Sequence, residues 1–250
     1  MNIAIIFAGG IGQRLNGGKD ALPKQFLKIN GKPILVHTLE RFQNHSEIDK
    51  IYVVILKEYK DYAQMLVDNF GLSKVKGIVE GGASAMESIY NGLMAAQKEN
   101  SKDSIVLIHD GVRPVITDKV ISDNISSVRK FGTGITSTPC YETILVSKDG
   151  KVPEHVPLRR ETFAAQAPQS FRLGEIIEAH EKISSYDGIV DSCTLFHILG
   201  KETRLVEGNF GNIKITTPQD VYILKGILDY KEEVEGEKCL RAETEFVNKI

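Results

Sequence analysis

Short apolar, β-branched runs alternate along this chain with segments of helical period, and that alternation leaves few folds open. Residues 3–8, 51–56 and 105–108 read as buried strands and 75–79 as a short one. Between them, residues 33–42, 59–70, 84–97 and 118–130 read as helices. In the third of these, Met86, Ile89, Tyr90, Leu93 and Met94 recur at the spacing of one helix face. Strands that are apolar throughout and separated by helices point to an α/β fold, a mostly parallel sheet with helices on both faces.

The pattern changes over residues 133–160. Segments 135–138, 143–146 and 152–157 read as extended, and Asp149-Gly150 supplies a hairpin turn between the last two. The expectation is a β-hairpin arm inserted into the α/β domain. Helical period returns at 173–183 and 190–199, and 204–206 and 213–215 read as short strands. Thr217-Pro218-Gln219-Asp220 then carries the cap, first-turn proline and early acid of a helix start. Residues 1–230 are expected to form one domain with a charged tail at 231–250.

A formal net charge of −2 gives no general surface for polyanions, so a phosphate ligand needs a local cluster of cations and nucleic acid is not an expected partner. The first apolar run is cut off by Gly9-Gly10 and is too short for a secretory leader. No run approaches the roughly 20 apolar residues that cross a bilayer, so no membrane partner is expected. Cys140, Cys193 and Cys239 show neither metal-ligand spacing nor a disulfide framework, which fits a reducing cytoplasm.

Three segments carry the chemistry. Ala8-Gly9-Gly10-Ile11-Gly12-Gln13-Arg14, running on to Pro23-Lys24-Gln25, leaves the first strand as a glycine loop whose backbone N–H groups can approach phosphates. It is not the phosphate loop of nucleoside triphosphatases, because Gly17-Gly18-Lys19-Asp20 lacks the Ser/Thr ending. It also fails the dinucleotide fingerprint: Leu15 stands where a third glycine belongs, and the second strand ends too late to supply the acid. His109-Asp110-Gly111-Val112-Arg113-Pro114 follows a buried strand. Asp110 therefore sits where open α/β sheets bind ligands, placed to hold a divalent cation or orient a hydroxyl, or else to cap a turn and pair with Arg113. His109 reads as structural. In Gly211-Asn212-Ile213-Lys214-Ile215, strand alternation points Lys214 away from its isoleucine neighbours, into the same crevice or into water. His45, His155 and His180 lie in polar surroundings and read as surface residues. Asp191 reads as a helix cap.

Together these segments resemble the cytidylyltransferases that act on 2-C-methyl-D-erythritol 4-phosphate and on ribitol 5-phosphate. The resemblance spans residues 2–229. It includes the glycine loop, Leu22-Pro23-Lys24-Gln25-Phe26-Leu27, Gly81-Gly82, the Asp110 segment, Gln166-Ala167-Pro168-Gln169-Ser170-Phe171 and Asn212-Ile213-Lys214-Ile215-Thr216. It implies a Rossmann-like domain, a homodimer clasped by the hairpin arm, CTP as co-substrate and Mg²⁺ as cofactor. It also implies attack of an acceptor phosphate on the α-phosphorus of CTP. Residue by residue, Arg14, Lys24 and Lys214 would be catalytic. Ala8, Gly9, Gly10, Gly12, Gly82 and Ser88 would bind the nucleotide. Asp110 would face metal and acceptor, joined on the acceptor side by Arg113 and Asp191. Thr143 and Arg159 would reach from the arm into the partner subunit's site. The family's usual arginine is Ala85 here, and its usual alanine after the aspartate is Gly111.

Val156-Pro157-Leu158-Arg159, Val112, Ser147-Lys148-Asp149 and Asp191-Ser192-Cys193 resemble the ribitol-phosphate branch, making D-ribitol 5-phosphate the expected acceptor. Methylerythritol phosphate is the alternative. Two readings from other classes are a nucleotide-binding homologue without turnover, suggested by Ala85, and a dinucleotide-dependent oxidoreductase, suggested only by Gly10-Ile11-Gly12.

Overall fold

The computed structural model describes residues 1–9 and 23–247, giving only the backbone course for Glu232 and residues 235–247. In chain order it contains β1 (Asn2–Phe7), the two-residue strands β2 (Lys28–Ile29) and β3 (Lys32–Pro33), α1 (Ile34–Asn44), β4 (Lys50–Ile55), α2 (Lys60–Asn69), β5 (Val75–Glu80), α3 (Ala85–Gln97) and β6 (Ile105–Asp110). There follow α4 (Asp118–Phe131), β7 (Thr133–Pro139), β8 (Phe163–Arg172), α5 (Leu173–Glu181), α6 (Ser192–Ile198), β9 (Leu205–Glu207) and α7 (Pro218–Val247). The main sheet has seven strands in the order β5-β4-β1-β6-β8-β7-β9. Pairing is parallel from β5 through β6, and β8 runs antiparallel to both β6 and β7. The expected α/β architecture is present.

The central strands β1, β4 and β6 are apolar along most of their length because helices cover both faces, whereas the edge strand β5 is only half-buried. Ala4 and Ile6 of β1 point to one side with Val53 and Leu107, against Leu39 and Phe42 of α1 and Ile121 and Val128 of α4. Ile3 and Ile5 point to the other, with Val54 and Val106, against Ile89 and Leu93 of α3, Ile176 of α5 and Phe196 of α6. Each buried Val, Leu, Ile or Phe among them contributes roughly 1.5–3 kcal/mol by leaving water. At Gly92 the contact between α3 and the sheet is too close for any side chain: a Cβ there would lie 2.6 Å from Val54 Cγ2 and 2.7 Å from Ile5 Cγ2. Helix α4 is bounded by its own sequence, with Thr117 Oγ1 accepting from Val120 N and Gly132 closing the C-terminus in the left-handed region. A third cluster joins Ile29, Ile34, Val112, Val115, Ile215 and Leu224, seating the start of α7 beside the carboxyl end of β6.

Several expectations need correction. The extended segment from residue 133 belongs to the sheet as β7, and its partner β8 was not anticipated at all. The arm proper is residues 140–162, mostly exposed, and its hairpin is slight: Val146 pairs with His155, while Asp149 Oδ1 accepts from Lys151 N and Val152 N. Residues 213–215 are not a strand. Their backbone groups find other partners: Ile215 N donates to Val112 O, Ile213 N to Gly211 O, and the Lys24 ammonium to Ile215 O. Pro33 caps α1 instead of entering its first turn. His45 and His180 are buried, not surface residues. His45 Nε2 meets Asp118 O and Ser122 Oγ at 3.2 Å each, and His180 Nδ1 lies 2.7 Å from the Tyr186 hydroxyl. Among the described residues, no helix is long and apolar enough to cross a membrane.

Candidate active site

The carboxyl ends of β1, β4, β5 and β6 open toward one crevice, as the fold requires of a ligand site in such a sheet. Ala8 and Gly9 continue β1 into it. Ala8 N donates to Val54 O at 2.7 Å, and the buried Gln25 side chain donates to Ala8 O at 2.7 Å, so the loop leaves the sheet at a fixed angle. Gly10, Gly12 and Arg14, with Lys19, lie outside the described residues.

On one side of the crevice is a cleft of about 360 Å³, lined by Gly9, Lys24, Gly82, Ser84, Ser88 and Lys214 among others. Its wall is the entry to α3, built by a local motif. Ser84 Oγ accepts from Glu87 N at 3.1 Å, and Glu87 Oε2 accepts from Ala83 N at 2.6 Å, as in a reciprocal capping arrangement. Ser88 Oγ accepts from Gly82 N at 3.0 Å and donates to Ser84 O at 2.9 Å. A Cβ on Gly82 would lie 2.3 Å from Glu87 Cβ, so the turn requires glycine there. Four of the expected nucleotide-binding residues, Ala8, Gly9, Gly82 and Ser88, are thus brought to one cleft.

On the other side is a cleft of about 210 Å³, lined by Ile89, Arg113, Gln166, Gln169, Asp191 and Ser192 among others. Phe7, Ala85, Asp110 and Lys214 line both clefts. Asp110 is the buried hinge between them. Its Oδ1 lies 2.6 Å from Lys214 Nζ and its Oδ2 accepts from Arg113 Nε at 2.8 Å. Burial by itself would raise the Asp110 pKa, but the charges of Lys214 and Arg113 and their hydrogen bonds outweigh it and hold the carboxyl below its ordinary value. Arg113 is fixed at its far end as well, Nη1 donating to Asn212 O at 2.7 Å, while Asn212 Nδ2 donates to Ala167 O at 2.7 Å. Lys214 thus points into the crevice as side-chain alternation suggested, opposite the buried Ile215, although no strand sets the alternation.

His109 plays no part in the crevice. It is buried, its Nε2 lies 3.1 Å from Arg113 O, and burial lowers its pKa to about 4. Asp191 lines the smaller cleft and also caps α6. Its Oδ1 accepts from Thr194 N and Thr194 Oγ1, and its Oδ2 from Gln169 Nε2 at 2.8 Å. Thr143 and Arg159 are exposed on the arm and line neither cleft. Arg159 Nη1 donates to Tyr141 O at 3.4 Å. Among the described residues, no group of three or more His, Cys, Asp or Glu could hold a metal ion. Gln25, Gln169 and Ser192 had no individual role in the sequence reading. Gln169 lay inside a quoted motif, but without β8 nothing showed that it faces the cleft.

The chain matches the family described as IspD, 2-C-methyl-D-erythritol 4-phosphate cytidylyltransferase, over residues 2–230. A ribitol-5-phosphate cytidylyltransferase of Streptococcus agalactiae serotype III is 45% identical over 236 residues, covering 93% of this chain and 97% of that protein. A 2-C-methyl-D-erythritol 4-phosphate cytidylyltransferase of Clostridium botulinum is 35% identical over 229 residues, covering 91% of this chain and 97% of the relative. Among solved structures, the 4-diphosphocytidyl-2C-methyl-D-erythritol synthase of Anaerococcus prevotii superposes with a TM-score of 0.77 at 28% identity, covering 91% of this chain and 98% of that one.

Proposed function

This chain belongs to the IspD family of cytidylyltransferases, and we propose from that premise that it transfers CMP from CTP to D-ribitol 5-phosphate, giving CDP-ribitol and pyrophosphate. The observation that carries the reaction type is the Lys214–Asp110–Arg113 cluster standing between two clefts, one with a glycine-lined wall and one with polar side chains. The acceptor rests on the higher identity to ribitol-5-phosphate enzymes than to methylerythritol-phosphate enzymes.

CTP occupies the larger cleft, its base toward Gly82 and Ser88 and its phosphates toward Ala8, Gly9 and the remaining loop residues Gly10 and Gly12. An acceptor phosphate oxygen attacks the α-phosphorus in line. The new P–O bond forms as the bond to the bridging oxygen breaks, and pyrophosphate leaves with that electron pair. Fixed cations suit a phosphoryl centre that gathers negative charge. Lys24 and Arg14 serve the triphosphate, and Lys214 the reacting phosphates. Lys214 then exchanges Asp110 for phosphate oxygens, while Arg113 remains to hold Asp110 ionised. Asp191 shapes the acceptor wall. Thr143 and Arg159 hold the acceptor phosphate from the second subunit of a homodimer, a role consistent with their exposure and their lining neither cleft here. The large exposed side chains Leu145, Val152 and Leu158 on the arm fit that assembly.

Mg²⁺ takes one or two carboxylates and otherwise phosphate oxygens and water. Asp110 is the carboxylate shared by the two clefts, so the residues fit an ion held chiefly by the triphosphate with Asp110 as its single protein ligand. When bound, the ion supplies charge neutralisation at the phosphates. We place the enzyme in the cytoplasm, as a single catalytic domain over residues 1–230. Pyrophosphate release from CTP is the test, with ribitol 5-phosphate and methylerythritol 4-phosphate compared. Preference for the second acceptor would overturn the substrate, and silence with both would overturn the activity.

A further inference from the structure

Resting on the reading of the smaller cleft as the acceptor site, we propose that Ser192 is a specificity-determining residue whose hydroxyl pairs with a hydroxyl of the polyol chain. Ser192 is the first residue of α6 and lines that cleft beside Asp191. It is 1% exposed, and among the described residues its Oγ has no hydrogen-bond partner. A buried hydroxyl left unpaired costs free energy and calls for an explanation. Its neighbours do not provide one, because they are committed to each other. The Gln169 amide donates to Asp191 Oδ2 and accepts from Cys193 N at 2.9 Å, and Asp191 Oδ1 is taken by Thr194.

Gln169 therefore clamps the start of α6 to β8 with two bonds of opposite sense, holding the Ser192 backbone rigid against the cleft. The hydroxyl alone stays adjustable, by rotation about a single χ1 among three staggered positions. Such a group, capable of donating and accepting, matches an acyclic polyol, whose hydroxyls also do both. A partner arriving with the substrate would satisfy it. A site built to pair a substrate hydroxyl discriminates strongly against analogues that lack one.

The experiment is Ser192→Ala in the full-length enzyme, assayed for pyrophosphate release with CTP and ribitol 5-phosphate, alongside thermal melting without substrates. The expected result is an acceptor KM raised roughly tenfold with the CTP KM unmoved. The melting temperature should hold or rise, since the hydroxyl has no partner to lose in the free protein. An unchanged acceptor KM overturns the proposal. So does a melting temperature lowered by several degrees, which would mark the hydroxyl as structural. Wild-type enzyme inactive with every polyol phosphate would instead defeat the reading of the cleft, and is distinguished by running that control first.

Discussion

Asp110→Asn removes the negative charge between Lys214 and Arg113 while keeping the shape of the side chain. The two contacts are unequal. Arg113 and Asp110 have side-chain exposures of 12% and 8%, so theirs is a buried pair, whereas Lys214 is 44% exposed and its contact is partly screened by water. Breaking a buried pair by removing one partner costs about 3–5 kcal/mol, because a charge is left uncompensated. The asparagine carbonyl can still accept from Arg113 Nε, which places the expected loss near the lower end, about 3 kcal/mol. For a chain of this size that corresponds to a melting-temperature drop of about 6–12 °C. Lys214→Ala leaves the buried pair intact and should cost no more than about 1 kcal/mol. Urea denaturation at pH 7, with thermal melting of both variants, measures the difference. The pH dependence has a definite sign: the folded Asp110 carboxyl titrates below its ordinary value of 3.8, so its contribution is present above that pH and is lost as pH falls through the lower folded value. Equal stability of Asp110→Asn and wild type at pH 7, or a larger loss in Lys214→Ala, would refute the view that Arg113 is the structural partner and Lys214 the exchangeable one.

Lys24→Ala should lower turnover roughly 10²- to 10³-fold, read by single-turnover pyrophosphate release, and near-normal turnover would remove it from the catalytic set. Arg159→Ala should raise the acceptor KM. Mixing it with Lys24→Ala subunits should restore activity in the hybrid dimer if Arg159 acts across subunits, and no recovery would count against the trans role. Gly92→Ala should destabilise the fold by about 1–3 kcal/mol in denaturant titration, since its methyl would press on Val54 and Ile5; a neutral result would mean that α3 moves away freely. His109 and His180 are held at about 4 against an ordinary 6.5, in both cases by burial. Unfolding lets them bind protons, so their share of stability is intact above about pH 6.5 and declines from there toward about pH 4. Denaturation midpoints that stay flat down to pH 4 would contradict that burial.

Much of the fold was legible because it is written in local period. The strands β1, β4, β5 and β6 and the helices between them follow from runs of β-branched residues and from spacings such as Met86, Ile89 and Leu93, although β5, at the sheet edge, is only half-buried. The cap of α4 and the motif around Ser84 and Glu87 are also local in the chain, but they were recognised only in the structure. β8 was not legible. Its outer half is exposed on the way to the arm and its inner half is buried between β6 and β7, so Ala164, Ala165 and Pro168 present no strand period. His45, in the turn after α1, and His180, within α5, were misread for a related reason: polar sequence neighbours say nothing about which residues packing covers.

The glycine loop, the acid at the end of a central strand and the cations near it were determined by the sequence alone, because each is a short segment whose backbone chemistry is its own. Which of these meet was decided by the tertiary structure. Lys24 reaches Ile215 across 191 residues of chain, and Arg113 reaches Asn212 across 99. Asp110 becomes a charged centre only when those distant segments close on it. The unpaired Ser192 hydroxyl is of the same kind. A hydroxyl is unsatisfied only by virtue of what packing leaves around it, and packing is settled between elements, not along them.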